Sequence, residues 1–285
     1  MMTDAELVIC LQRLNEHYRA EDIPPIRRPW LALSELSKKH GVLIAVPSPR
    51  ADLIFQWFQQ NTQGGSHNVQ PLFKGVYFFD ACFWPVVIPY FAGTVSLDSM
   101  KCLEMPEVLK SQLRANTAEF SIYAAYWLDC VDFAIGSHKR DCFSSLSPLG
   151  MAFLENGFKE LQAVISQLSE PRANTRAVIA ARMVIEMYLK SLLIVKAQKD
   201  ENYLKRKIGH DIGKAMNECW SVAPIREFEV LRPMLSVFPD VQSRYTGKEQ
   251  SLRDIWAAYQ IAQAVATTVV RVLTGIDNRS RLVRE

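Results

Sequence analysis

Several residue groups have the types and spacing to do chemistry. Asp129 and Asp132 lie one helical turn apart inside the very apolar stretch FSIYAAYWLDCVDFAI. Buried carboxylates of this kind are either a functional pair with raised pKa values, or edge residues paired with an arginine. Glu186 and Lys190 stand four residues apart in the favourable order, with Arg182 one turn earlier. On an exposed helix such a pair contributes about 0.2–0.5 kcal/mol. Asp211 precedes a helical segment, where its charge suits the helix dipole, and His210 beside it can hydrogen-bond to a neighbouring helix. Residues 171–220 carry ten Lys or Arg against five Asp or Glu, a surplus of +5 in a chain whose net charge is +3. Lys199, Lys205, Arg206 and Lys207, with Lys196, crowd one connection there. That patch suits a phosphate-bearing partner (RNA, DNA or nucleotide) or an ordinary solvated turn.

Other chemistries find no support. The six cysteines (Cys10, Cys82, Cys102, Cys130, Cys142 and Cys219) form no C-x-x-C pair and no cluster of zinc-ligand spacing. No G-x-S-x-G, H-E-x-x-H or glycine-rich phosphate loop occurs, and Arg13 and His17 recur at chance-level spacing. No metal and no cofactor is expected.

The elements that must hold these residues are read from periodicity. Leu7, Leu11, Leu14 and Tyr18 recur at three- and four-residue steps over 3–20, with Thr3 and Glu6 as a capping box, so the chain opens on a helix. Helices are expected at 29–39 and 52–60, a short strand at 42–46 and a turn-rich loop at 61–68. An aromatic stretch follows, from Phe73 to Phe91. Within it, residues 81–95 carry no charge, but they are fewer than the ~20 needed to span a bilayer and include Pro85 and Pro89. They are expected as a buried core segment. Helices at 106–115 and 119–135 come next, the second apolar on nearly all sides and therefore buried. The polar, serine-containing stretch 136–149 is read as a domain boundary. Helices at 151–168, 173–199, 211–220 and 251–273 follow, the last closing on Gly275. The expected architecture is all-α: a helical, aromatic-rich domain at 1–140, a helical bundle at 148–275 and a charged, frayed tail at 276–285.

Within the second half, Glu186-x-x-Leu189-Lys190-x-x-Leu193, then Gly209-His210-Asp211-Ile212, then Ser243-Arg244-Tyr245 and a long final helix form a recognisable order. This pattern resembles the HEPN superfamily of helical bundles. The resemblance implies that Glu186, Lys190, His210, Asp211, Arg244 and Tyr245 are motif positions of the bundle. Catalytic HEPN ribonucleases place an arginine, four to six further residues and a histidine near the start of the final helix, and dimerisation unites two such motifs. There the histidine moves a proton at the ribose hydroxyl while the arginine stabilises charge on the phosphate, without a metal. This chain departs from that motif. Residues 251–273 contain no histidine, Arg206 precedes His210 with only three residues between, and Lys205, at the right distance, is not an arginine.

The resemblance therefore implies a non-catalytic member. The first reading is a cytoplasmic accessory protein of a prokaryotic defence or toxin–antitoxin system, binding RNA or nucleotide through Lys199, Lys205, Arg206 and Lys207. It would form a homodimer or dock a partner protein from the same operon. A metal-independent endoribonuclease acting through Arg206 and His210 is the second reading, and a pure interaction scaffold the third. The scattered cysteines and the acidic opening residues suit a reducing compartment, with no secretory signal and no membrane partner.

Overall fold

The structure is a computed structural model describing residues 3–40, 44, 48–62, 71–90, 96–143, 146–170, 172, 174, 176–239 and 250–282. Among these the chain is mainly helical, with one small sheet. The expected strand at 42–46 apart from residue 44, most of the loop at 61–68, and Arg244 and Tyr245 lie outside the described residues.

The chain divides into two compact units, residues 1–70 and 71–285. The first holds α1 (Asp4–Ala20), α2 (Arg28–His40) and α3 (Pro49–Asn61). Thr3 and Glu6 form the expected capping box, the Glu6 backbone N–H donating to the Thr3 hydroxyl oxygen. The core is small: Leu7, Leu11, Tyr18, Ala32, Leu36, Ile54 and Phe58. Arg28 is tied into it by donating to the Asn15 side-chain carbonyl at 2.9 Å and to the Ile23 carbonyl at 2.8 Å.

The second unit holds everything from the aromatic stretch onward: β1 (Phe73–Phe79), β2 (Cys82–Ile88), α4 (Glu107–Ala115), α5 (Thr117–His138), α6 (Pro148–Ser169), α7 (Ala177–Ala197), α8 (Glu201–Tyr203), α9 (Ile212–Val222), α10 (Arg226–Leu231), α11 (Leu252–Thr274) and α12 (Asn278–Leu282). α6 and α11 pack on α7, α5 packs on α11, and α9 closes on α7. Their facing residues merge into one continuous core with the hairpin.

Three sequence expectations need correction. The boundary read at 136–149 separates no units, because α5 packs on α11 and joins the core of the second unit. A chain break there would expose the apolar circumference of α5, so the polar stretch serves as a surface connection between α5 and α6.

The aromatic stretch is an antiparallel hairpin, with Phe73 opposite Ile88 and Phe79 opposite Cys82. Its turn puts Asp80 and Ala81 at φ 51° and 57°, left-handed geometry that Asn-Gly or Asp-Gly would normally announce. Gly75 lets β1 approach α5: a Cβ there would stand 2.6 Å from the Tyr126 hydroxyl. That hydroxyl accepts from the Val76 backbone N–H at 3.1 Å and lies 2.9 Å from the Tyr259 hydroxyl on α11. Burial pushes both tyrosine pKa values up, so both remain neutral hydrogen-bonding groups.

The tail at 276–280 is held rather than frayed. Asn278 donates its backbone N–H and its side-chain amide to Asp132, the latter at 2.7 Å. No helix among the described residues is long and apolar enough to cross a membrane.

Candidate functional site: a carboxylate, a lysine and an imidazole beside a basic turn

α7 runs through the middle of the second unit, and its sequence, rich in Ala, Leu, Ile and Val, leaves few positions for charge. Glu186 and Lys190 are nevertheless on it and buried, at 2% and 7% exposure. One turn apart, they close an ion pair with Lys190 Nζ 2.6 Å from Glu186 Oε1. The exposed ladder considered from sequence is thus an interior pair. Burial changes its energetics: two desolvated charges depend on each other, and removing either strands its partner.

The other end of the cluster comes from the segment after α8. Residues 204–208 form a single π-helical turn, closed by the Gly209 backbone N–H donating to the Leu204 carbonyl at 2.8 Å. Gly209 adopts φ 59° and ψ −126°, a conformation that a side chain would strain. That reversal brings His210 back to α7. His210 Nδ1 lies 3.1 Å from both oxygens of the Glu186 carboxylate. A carboxylate only accepts, so Nδ1 donates, which leaves Nε2 free to accept or carry a proton. The His210 side chain is 66% exposed, whereas that of Glu186 is 3% exposed. Arg182, one turn before Glu186, donates from Nη2 to the His210 carbonyl at 2.7 Å. Asp211 then caps α9 by accepting from the Lys214 backbone N–H at 2.9 Å.

Structure thus joins Arg182, Glu186, Lys190, His210 and Asp211 into one assembly pinning the start of α9 to α7. The basic residues sort into two kinds. Lys199 is used internally, 3.7 Å from a Glu218 oxygen and over the Tyr203 ring at 4.1 Å. Tyr203 also donates its hydroxyl to Glu218. Lys205 pairs with Glu201 at 2.7 Å on the surface, an exposed contact of little energetic weight. Arg206 and Lys207 are exposed and make no ion pair or hydrogen bond among the described residues. Arg206 therefore does not join His210 in a bonded pair.

The second candidate, Asp129 and Asp132, is an ion-pair and hydrogen-bond network. Arg271 on α11 donates from Nε to Asp132 at 2.8 Å and from Nη2 to Asp129 at 2.7 Å. Arg279 reaches Asp129 at 3.5 Å, and Asn278 completes Asp132. Burial pushes the Asp129 carboxyl up from its ordinary value, against the pull of the two arginines. Paired with Arg271 and Asn278, the two carboxylates anchor α11 and α12 to α5. Sequence reasoning missed Arg271. Its one signal was a lone charge in the apolar final segment TTVVRVLT, with its partners some 140 positions away.

Among the described residues no group of three or more His, Cys, Asp or Glu could hold a metal ion. Comparison with protein-family models, curated proteins and solved structures finds no match to this chain.

Proposed function

We propose that this chain is an accessory protein with a degenerate HEPN-type bundle, binding a phosphate-bearing partner, RNA or nucleotide, through the turn at Lys205, Arg206 and Lys207. One observation carries the reading. Arg206 and Lys207 project from a turn that the His210–Glu186 contact and Gly209 hold in place, and neither is neutralised among the described residues. Fixed cations without internal partners suit phosphate oxygens, whose binding releases counterions and weakens as salt rises. His210 and Asp211 are occupied in holding α7 to α9, which supports binding over cleavage. By the same family resemblance the protein works as a homodimer or with a protein partner encoded alongside it.

The test is fluorescence anisotropy of labelled single-stranded RNA across a salt series, comparing wild type with Arg206→Glu/Lys207→Glu. Expected is a uniform loss of affinity and a salt dependence shallower by about one ion per contact removed. Unchanged affinity and slope in the double variant would refute the reading. A second reading, metal-independent RNA cleavage, rests on the free Nε2 of His210 beside a buried carboxylate, the arrangement of a general base. It requires cleavage in EDTA that His210→Ala abolishes.

A further inference from the structure

A cleft of about 560 Å³ opens in the second unit between the end of α5 and helices α6, α7 and α11. Its walls are mostly apolar, with Phe143, Met151, Leu154 and Phe158 among them. It shares no residue with the assembly at Glu186 and His210, and the proposed function does not use it.

Two features distinguish it from a packing gap. Tyr188 lines the cleft, is 2% exposed, and its hydroxyl has no hydrogen-bond partner among the described residues. Burial pushes this phenol up, so it stays protonated and can donate to an acceptor placed in the cleft.

The second feature is charge. Lys159 and Glu155 line the cleft at exposed positions, one turn apart on α6, and neither makes an ion pair among the described residues. His138 also lines it, and its Nδ1 donates to the Ala134 carbonyl at 2.8 Å. Its Nε2 is thereby left for another partner. The cleft's exposed residues thus offer an ammonium and an imidazole nitrogen that can meet an anionic group.

Phe133 stacks on Phe158 at 6.0 Å and 8°, and meets Tyr188 edge-on at 6.1 Å. The aromatic side chains behind the cleft are thus packed on one another, and Phe158 among its walls suits a flat apolar ring. We infer that this cleft binds a small planar aromatic molecule carrying an anionic group, with its rings against Phe158 and Met151, an acceptor atom on the Tyr188 hydroxyl and its charge beside Lys159. Apolar walls with a few convergent polar groups are what such ligand sites consist of.

The test uses two fluorescent probes on the full chain. 8-Anilinonaphthalene-1-sulfonate is aromatic and anionic; N-phenyl-1-naphthylamine is its neutral counterpart. Expected is saturable one-to-one binding of the anionic dye to protein that still melts cooperatively, which separates this site from a loosened core. Met151→Trp, which fills the cleft, should abolish binding of both probes. Lys159→Glu, an exposed change that leaves the core alone, should weaken the anionic dye by about tenfold, or 1.4 kcal/mol, while leaving the neutral one within about twofold. Tyr188→Phe should weaken the anionic dye without lowering the melting temperature. Absence of saturable binding would overturn the inference, as would dye binding that Met151→Trp leaves intact or equal effects of Lys159→Glu on both probes.

Discussion

Replacing Arg271 with leucine tests the anchor between α5, α11 and α12. Arg271 is 9% exposed, Asp129 7% and Asp132 fully buried. Its guanidinium donates to both carboxylates at 2.7–2.8 Å. Removing one partner of a buried ion pair costs about 3–5 kcal/mol, because the remaining charge stays desolvated. That is a large fraction of the ~5–15 kcal/mol that holds a typical domain folded. For a unit the size of residues 71–285, at about 2–4 °C per kcal/mol, the melting temperature should fall by roughly 6–20 °C.

The pH dependence carries the sharper test. Burial raises the Asp129 carboxyl above its unfolded value. A raised acid favours the folded state most when protonated, and that contribution is lost as pH rises through the folded value. In the wild type Arg271 offsets the cost of ionisation; in Arg271→Leu nothing equivalent does. The deficit relative to wild type should therefore be greatest at neutral pH and shrink as pH falls through the carboxylate range. Thermal melts of both proteins at neutral and mildly acidic pH, followed by circular dichroism, measure it. Arg271→Lys keeps a charge but loses the two-pronged geometry, and should fall between the two. A deficit that stays constant or grows on acidification would mean that lost packing, not stranded carboxylates, carries the effect.

Glu186→Ala should destabilise the second unit by about 3–5 kcal/mol, because Lys190 is left buried without its counter-charge; urea unfolding of that variant should be largely rescued in Glu186→Leu/Lys190→Met. Gly157→Ala should lower the melting temperature although alanine is the better helix former. The added Cβ would stand 2.8 Å and 2.9 Å from Tyr188 Cε2 and Cδ2, an overpacking worth about 1–3 kcal/mol against a propensity gain of about 1 kcal/mol. Asp211→Ala removes the cap of α9 and should cost about 1 kcal/mol in the same assay, with Asp211→Asn close to wild type.

The helices were largely legible in the sequence because each of their signals is local. Thr3 and Glu6 announce α1, Ser251 and Gly275 bracket α11, and Asp211 heads α9, through hydrogen bonds that span three or four residues. A repeat of apolar residues at helical spacing needs no knowledge of what lies across the core. The hairpin was hidden for the converse reason. Its turn is Asp80-Ala81, without the glycine that usually marks left-handed geometry, and Pro85 stands inside β2. Strand pairing and the Tyr126 and Tyr259 hydroxyls hold it, and Tyr259 lies more than 180 residues further on.

Residue types at the candidate sites were equally plain, but their electrostatic character was not. Glu186 and Lys190 four apart on a helix can be a weak surface pair or a strong buried one. Only the packing of α7 among α6, α9 and α11 decides which. In the sequence, Asp129 and Asp132 suit a functional pair and an arginine-paired edge alike. What made them an anchor was a guanidinium brought from the far end of the chain. By itself the sequence determined where the long helices lie, since capping and periodicity act over one or two turns, but not the short α10 and α12, which carry too few turns for a period to show. The tertiary structure alone decided which charges lost their water, because burial depends on neighbours that the chain supplies from a distance.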